Sequence, residues 1–399
     1  MSYWPSSPWG GSQVNDLTVG DIHQWEIWHV SQLPYQDYKH VGGRFVSEFG
    51  MQSLPVGRTV ELFLRGTAPT ERHPFSRAVD GHNKGRGSHL RLARYLAENF
   101  RVDTGSLPTY AYATQLLQAE AYAAALRGWK RRFAGPGAEA CAGALIWQLN
   151  DVYPATSWAL VDCFVRPKPA YYAVRRACAA VALGVERTPA SRFVDEYAPP
   201  PRPSDVPSWT LFAHNTGRRD VAAALVLRAY DMAAGVWTAL SEAEARRDVT
   251  LLAGVNSELG ALAAHEVWAE DSLVVLEATL VGPGGETLSR TVDWPEPFRY
   301  LHWPRDTRLS VRVEAVADDG GDEKWEHRVT VVANQPLKGV WLEPVYDGSE
   351  KDDDPEPLWE DNMVDLMPDS ELSFRVKGLK GRQVGARFLA DWEVGQDKS

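Results

Sequence analysis

Cysteine is scarce: only Cys141, Cys163 and Cys178 occur in 399 residues. An odd, sparse set without metal spacing argues against a disulfide scaffold or a zinc knuckle and fits a reducing compartment. There is no Asn-x-Ser/Thr sequon, and Met1-Ser2-Tyr3-Trp4-Pro5 lacks the basic-then-apolar pattern of a secretory signal. Cytoplasmic is therefore the expected localisation, unless an upstream piece carries a signal. No apolar run is long enough to span a bilayer, so no membrane partner is expected. No Gly-rich phosphate loop follows a strand and no compact His/Cys cluster appears, so neither a cofactor nor a metal is expected. His73, His82 and His89 read as surface or cleft histidines. Positive charge is also short, with 42 Lys and Arg against 53 Asp and Glu and a net charge of −11. A phosphate-binding surface would need a local basic patch to overcome that. Lys130-Arg131-Arg132 and Arg175-Arg176 sit on expected helices, the first at a C-terminus that favours cations, so no nucleic-acid partner is expected.

What is present is a globular composition, 44% hydrophobic and 24% charged, in a chain long enough for two or three domains. Sixteen Trp residues are many, and aromatic faces both stack on sugar rings and fill cores. The first 42 residues form a long Gly/Pro-punctuated aromatic stretch, from Tyr3-Trp4-Pro5 to Trp25-Glu26-Ile27-Trp28-His29. Such stretches line clefts above a scaffold. Gly43 to Gly50 then reads as one short buried strand with Phe45, Val46 and Phe49 apolar and Glu48 near its C-terminal end. Glu48 is either a catalytic nucleophile or a glutamate paired to an arginine beside a packed strand.

Helical spacing follows over Leu90–Phe100 and, at length, over Thr109–Phe133. In the second, Tyr112, Leu116, Ala119, Ala123 and Leu126 form a stripe that can pack on a sheet. Cys141–Leu149 predicts a buried strand ending in Asn150-Asp151, and Pro169–Cys178 another helix. Strand, helices, strand, helix is (β/α) logic. Past about residue 183 the pattern changes. Pro189, Pro199-Pro200-Pro201 and Pro203 punctuate a join, and Ala222–Tyr230 and Leu273–Leu280 predict strands of one sandwich, 183–300. Alternation at Leu309, Val311 and Val313, at Leu372, Phe374 and Val376, and at Val384, Ala386 and Phe388 predicts a second, 301–399. The acidic run Glu350–Asp354 reads as a solvated loop.

Several segments, in order along the chain, carry a resemblance. They are Ser6-Ser7-Pro8-Trp9-Gly10-Gly11, Gly20-Asp21-Ile22-His23-Gln24-Trp25, Arg44-Phe45-Val46-Ser47-Glu48-Phe49-Gly50-Met51-Gln52 and Gln118-Ala119-Glu120-Ala121. Arg127-Gly128-Trp129, Trp147-Gln148-Leu149-Asn150-Asp151, Arg166-Pro167-Lys168-Pro169-Ala170-Tyr171-Tyr172, Asn334–Val340 and Asp365–Pro368 continue the series. The sequence resembles the C-terminal portion of glycoside hydrolase family 2 β-mannosidases of the intracellular type-B branch. The resemblance implies an α/β plus β architecture. Residues 1–182 would be the C-terminal part of a catalytic (β/α)8 TIM barrel, and 183–300 and 301–399 two immunoglobulin-like β-sandwiches. It implies Glu48 as nucleophile after the seventh barrel strand, and Trp147 as a wall of the sugar site after the eighth. The loop from Trp25 to Tyr35 would belong to the same pocket.

A retaining glycosidase needs two carboxyl groups. The resemblance places the acid/base glutamate upstream of this sequence, together with most of the barrel. The expectation is a fragment or split product that pairs with an upstream segment or with another copy. Asp21 and Glu26 are the local alternatives for the second carboxylate. The expected substrate is a β-mannoside oligosaccharide, contacted by Trp147, Asn150, Trp25, His23, Trp28 and Tyr35. Trp147 has the alternative of a core indole, Asn150 of a turn cap, and His23 and Trp25 of loop packing. The rival functions are a catalytically silent carbohydrate-binding or interaction chain and a family 2 exo-hydrolase for another β-glycoside.

Overall fold

The computed structural model describes residues 3–188, 208–263, 273–316, 324–348 and 354–394. The proline-rich join at 189–203 and most of the acidic run at 350–354 lie outside them. The described residues form strands in several sheets, with helices gathered in the first half.

Two short strands, β1 (Ile22–Gln24) and β2 (Val46–Phe49), pair in parallel. Val46 and Phe49, at the two ends of β2, are fully buried while Ser47 and Glu48 between them are partly open, a pattern that departs from strict alternation in a short strand whose register with β1 is irregular. On its other side β2 meets residues 142–147. Ala142 N donates to Arg44 O at 2.7 Å, Val46 N to Gly143 O at 2.9 Å, Leu145 N to Val46 O at 2.8 Å and Trp147 N to Phe49 O at 2.9 Å. The strand expected over Cys141–Leu149 is corrected here: this tract is extended but carries only isolated bridges, such as Val46–Ala144. Its ladder is broken because the partner β2 is only four residues long.

The helix expected over Thr109–Phe133 spans Leu107–Arg131. Its start follows from Ser106, whose hydroxyl accepts from Thr109 N at 3.3 Å, and from Pro108 in the first turn. It ends on Lys130 and Arg131, where cations suit the dipole. The sequence stripe implied one buried face. Instead 18 of its 25 residues are buried. The helix runs through the middle of the molecule, with the parallel pair on one side and the C-terminal strands on another. Tyr112 Oη donates to Gly339 O at 2.7 Å, and a Cβ on Gly339 would lie 2.8 Å from that hydroxyl. The flanking helices are Ser88–Asn99 and Pro169–Ala177.

The middle of the chain folds as two facing sheets. Val181–Thr188, Ser208–Asn215 and Val255–Ala263 form one. Val221–Asp231, Val274–Val281 and Thr287–Asp293 form the spine of the other. Trp209, Leu211 and Ala213 from the first meet Leu225, Leu227, Leu276 and Leu280 from the second in a separate core. In the last part His327–Ala333 pairs with Leu309–Ala315 and Glu371–Lys377, and Leu337–Pro344 pairs with Val364–Leu366 and Val384–Arg387. The inward residues Val329, Val331, Phe374 and Val376 alternate as the sequence predicts. Their core is continuous with that of the long helix, so the first and last parts of the chain share one apolar cluster.

Candidate active site

Parallel pairing of β1 with β2 sets His23 directly opposite Glu48. Glu48 Oε2 accepts from Trp25 Nε1 at 3.2 Å and lies 3.3 Å from His23 Nδ1. Both side chains are about a quarter exposed, at 27% for Glu48 and 20% for His23, so the carboxylate is ordered yet reachable. Among the described residues no Arg or Lys pairs with it. The arginine-paired reading therefore has no partner among the described residues.

Asp21, just before β1, is buried and saturated. Its carboxylate accepts from Trp4 Nε1 at 2.9 Å, from Trp9 N at 3.0 Å, from Ser7 Oγ at 2.8 Å and from Ser47 Oγ. Burial alone would raise its pKa, but the donors Ser47, Ser7, Trp4 and Trp9 outweigh burial and hold it below the usual value. Ser7 Oγ also lies 3.2 Å from His23 Nε2. Asp21, Ser7, His23 and Glu48 thus form one polar chain across the parallel pair. Glu26 is engaged by the Ser31 hydroxyl in the loop beyond β1.

Behind Glu48 the aromatics converge on Gly50. A Cβ there would meet Trp147 O at 2.5 Å, Trp158 Cδ1 at 2.9 Å and Trp25 Cη2 at 3.3 Å. Only glycine allows this approach. Trp25 packs edge-on to Trp158 with centroids 6.1 Å apart, and His29 fills the corner at 4.8 Å from Trp25 and 5.8 Å from Trp158. Burial, together with Arg91, lowers the His29 pKa, so the ring favours its neutral form. Tyr122, from the long helix, reaches Trp158 O at 2.7 Å, Met51 O at 3.2 Å and Trp147 O at 3.4 Å with a single hydroxyl. It ties the three tracts around Glu48 together. Trp147 itself is 43% exposed.

Not every expected site residue comes to this surface. Trp28 is fully buried and stacks on Tyr95 with centroids 5.9 Å apart, and Tyr35 is buried with its hydroxyl donated to Glu296 at 2.7 Å. Both are corrected to core positions: they share the aromatic stretch with Trp25, but its turns aim them away from Glu48. Asn150 is exposed and donates from Nδ2 to Asp151 O at 3.1 Å, the turn-local alternative. Trp158, His29 and Asp21's role as an anchor are additions. Trp158 had only its aromatic character and nearness to Asn150-Asp151 in sequence to signal it. Among the described residues there is no group of three His, Cys, Asp or Glu placed to hold a metal, and no helix long and apolar enough to cross a membrane.

No family model matches the chain. It is similar to proteins named β-mannosidase B. The one from Thermothelomyces thermophilus is 38% identical over 395 residues, which is 97% of this chain and 44% of that protein. The one from Emericella nidulans is 37% identical over 95% of this chain and 41% of that protein. Among solved structures, a β-D-mannosidase from Dictyoglomus thermophilum superposes with a TM-score of 0.77 at 26% identity, over 97% of this chain and 42% of that one. An exo-chitosanase from Amycolatopsis orientalis shares the fold, with a TM-score of 0.60 at 16% identity over 89% of this chain and 43% of that one. The chain spans less than half the length of the curated relatives it matches. Over nearly its whole length, the chain is similar to part of these β-mannosidases.

Proposed function

We propose that this chain carries the nucleophile half of a retaining exo-β-mannosidase site, with Glu48 attacking the anomeric carbon of a terminal β-D-mannose. The observation that carries the reading is the setting of Glu48. It is a reachable carboxylate near the end of a parallel strand, oriented by Trp25 and His23, with Trp158 and the Trp147 carbonyl packed against Gly50 two residues on. Residues 1–182 are read as the last part of a (β/α)8 barrel. Their parallel strands open toward the loops that hold Trp25, Trp147 and Trp158, the end at which such barrels work. Residues 183–300 and 301–399 are read as immunoglobulin-like domains.

In the reaction Glu48 forms a glycosyl-enzyme as the leaving oxygen takes a proton from a second carboxyl group, which then activates water. Trp25 Nε1 and His23 hold the Glu48 carboxylate in place for attack. The two carboxyls of such sites stand about 5 to 5.5 Å apart. We assign the second to an upstream segment of the longer protein, a reading supported by the share of the relatives that this chain spans. The upstream segment would close the barrel beside β1 and residues 142–147. A cytoplasmic setting remains the reading for localisation.

The test is covalent trapping. An activated 2-deoxy-2-fluoro-β-mannoside has a leaving group that needs little acid help. Incubated with this chain, it is expected to add one fluoromannosyl mass, mapped to the Glu48 peptide, and none to Glu48→Gln. A label on another residue, or none on the wild-type chain mixed with its upstream segment, would overturn the assignment. The exposed Trp147 also suits a second reading, carbohydrate binding without turnover. Mannose-dependent quenching of Trp fluorescence in a chain that never labels would favour it.

A further inference from the structure

The junction of the long helix with the two C-terminal parts holds two adjoining, partly open cavities of about 300 and 290 Å³. They share Glu120, Ala123, Arg127, Thr291, Val292 and Lys338 as walls. The first is lined by six Lys and Arg side chains against four Asp and Glu, a local excess of positive charge in an acidic chain.

Nearly all of these charges are spoken for. Lys338 donates to Glu120 at 2.9 Å. Glu296 takes Tyr35 and Gln36, Asp293 takes Arg187 and Trp209, and Glu186 takes Lys39 and Arg131. Arg127 is different. It lies in the wall common to both cavities, and among the described residues no carboxylate or carbonyl accepts from its guanidinium. Its Nε is sealed from solvent without a partner. Burial, the dominant influence, lowers its pKa; Glu120 opposes this through space, Arg176 reinforces it, and Asp365 and Asp293 oppose it. A guanidinium with a buried Nε that lacks an acceptor leaves hydrogen-bonding capacity unused at this wall.

We propose that this junction is a binding site for a compact oxyanion, phosphate being the simplest, held by the Arg127 guanidinium in the shared cavity. A guanidinium presents a planar fork that matches two oxygens of a phosphate. Space is ample, since each water accounts for about 30 Å³ of liquid and the cavity holds several. The bound anion supplies the hydrogen-bond acceptors that the neighbouring carboxylates do not, since Glu120, Glu186, Asp293 and Glu296 are each engaged by their own donors. The site stands apart from Glu48 and does not depend on the chemistry assigned there.

Binding is measured by calorimetry with inorganic phosphate on the full 399-residue chain, at ionic strength matched with sodium chloride. Saturable binding is expected in the wild type. It should weaken roughly tenfold or more in Arg127→Gln and less in Arg127→Lys, which keeps the charge but loses the fork. Phosphate also stabilises proteins by surface exclusion, and that effect would be equal in all three chains. Equal response of wild type and Arg127→Gln, or no saturable binding to the wild type, would overturn the proposal. Should Arg127→Gln not fold, an undiminished affinity in Arg127→Lys would overturn it.

Discussion

Glu296 joins the first sandwich to the site-bearing half of the chain. Its carboxylate accepts from the Tyr35 hydroxyl at 2.7 Å and from Gln36 Nε2 at 2.9 Å. Burial pushes its pKa from 4.5 up to about 7; hydrogen bonds from Tyr35 and Gln36 oppose this, Glu120 reinforces it and Lys338 opposes it. A raised carboxyl pKa means that the folded chain keeps a proton the unfolded chain has released. The associated stability is complete below the unfolded pKa and lost as pH rises through about 7. At about 1.4 kcal/mol per unit the loss has an upper limit of about 3 kcal/mol, and partial solvent contact reduces it to about 1 to 2 kcal/mol. Glu296→Gln keeps the shape and removes the titration. It also costs a hydrogen bond, since an amide cannot accept from both donors with its nitrogen, but that cost is the same at every pH. Urea unfolding followed by Trp fluorescence at about pH 5 and about pH 8 gives the stability of each chain. The wild-type advantage over the variant is expected to be larger at the lower pH by about 1 to 2 kcal/mol. An advantage of equal size at both values would refute the reasoning, because all other titrating groups cancel in the comparison.

Three further outcomes follow from the packing around Glu48. Gly50→Ala drives a methyl into Trp147 O and Trp158 Cδ1 and is expected to lower stability by about 1 to 3 kcal/mol and to shift Trp emission, read by thermal melting and fluorescence. Asp151, buried between Lys84 at 2.5 Å and Ser157 Oγ at 2.6 Å, anchors the turn after Trp147. Asp151→Asn is expected to cost about 3 to 5 kcal/mol, and adding Lys84→Met should recover part of it in a double-mutant cycle. Gln118 is fully buried, donating to Met51 O at 2.7 Å and accepting from Ser53 Oγ at 2.8 Å; Gln118→Leu is expected to cost about 2 to 4 kcal/mol by urea titration.

The long helix shows where sequence legibility ends. Its caps and period are local and could be read directly. Its burial on nearly every face could not, because the strand that covers Tyr112 comes more than 200 residues later. The tract 141–149 erred the other way. Its apolar run satisfied a strand pattern, but a ladder needs a partner of matching length, and β2 supplies four residues. The strands Leu309–Ala315 and Glu371–Lys377 were legible because one face of each packs inward, so the period of two survives in the sequence.

The aromatic stretch before β2 makes the same point about the site. Trp25, Trp28 and Tyr35 are equivalent as composition, yet Trp25 reaches Glu48 while Trp28 stacks on Tyr95 and Tyr35 turns to Glu296. Their directions depend on partners far along the chain. The parallel register is likewise a long-range fact, and it alone brings His23 to Glu48. It also separates the roles of two nearby carboxylates. Asp21 has four donors on its oxygens and is held ionised, which suits an anchor and disqualifies it as the acid that protonates a leaving group near neutral pH. Glu26 spends its carboxylate on Ser31. Under the proposed function, the proton donor then comes from a residue outside this cluster. On this reasoning an aryl mannoside, whose leaving group needs little protonation, should outpace an alkyl mannoside far more on this chain alone than on a protein with both carboxyl groups. Equal rates for the two substrates on this chain would place an acid within the 399 residues and overturn the division of labour argued for Glu48.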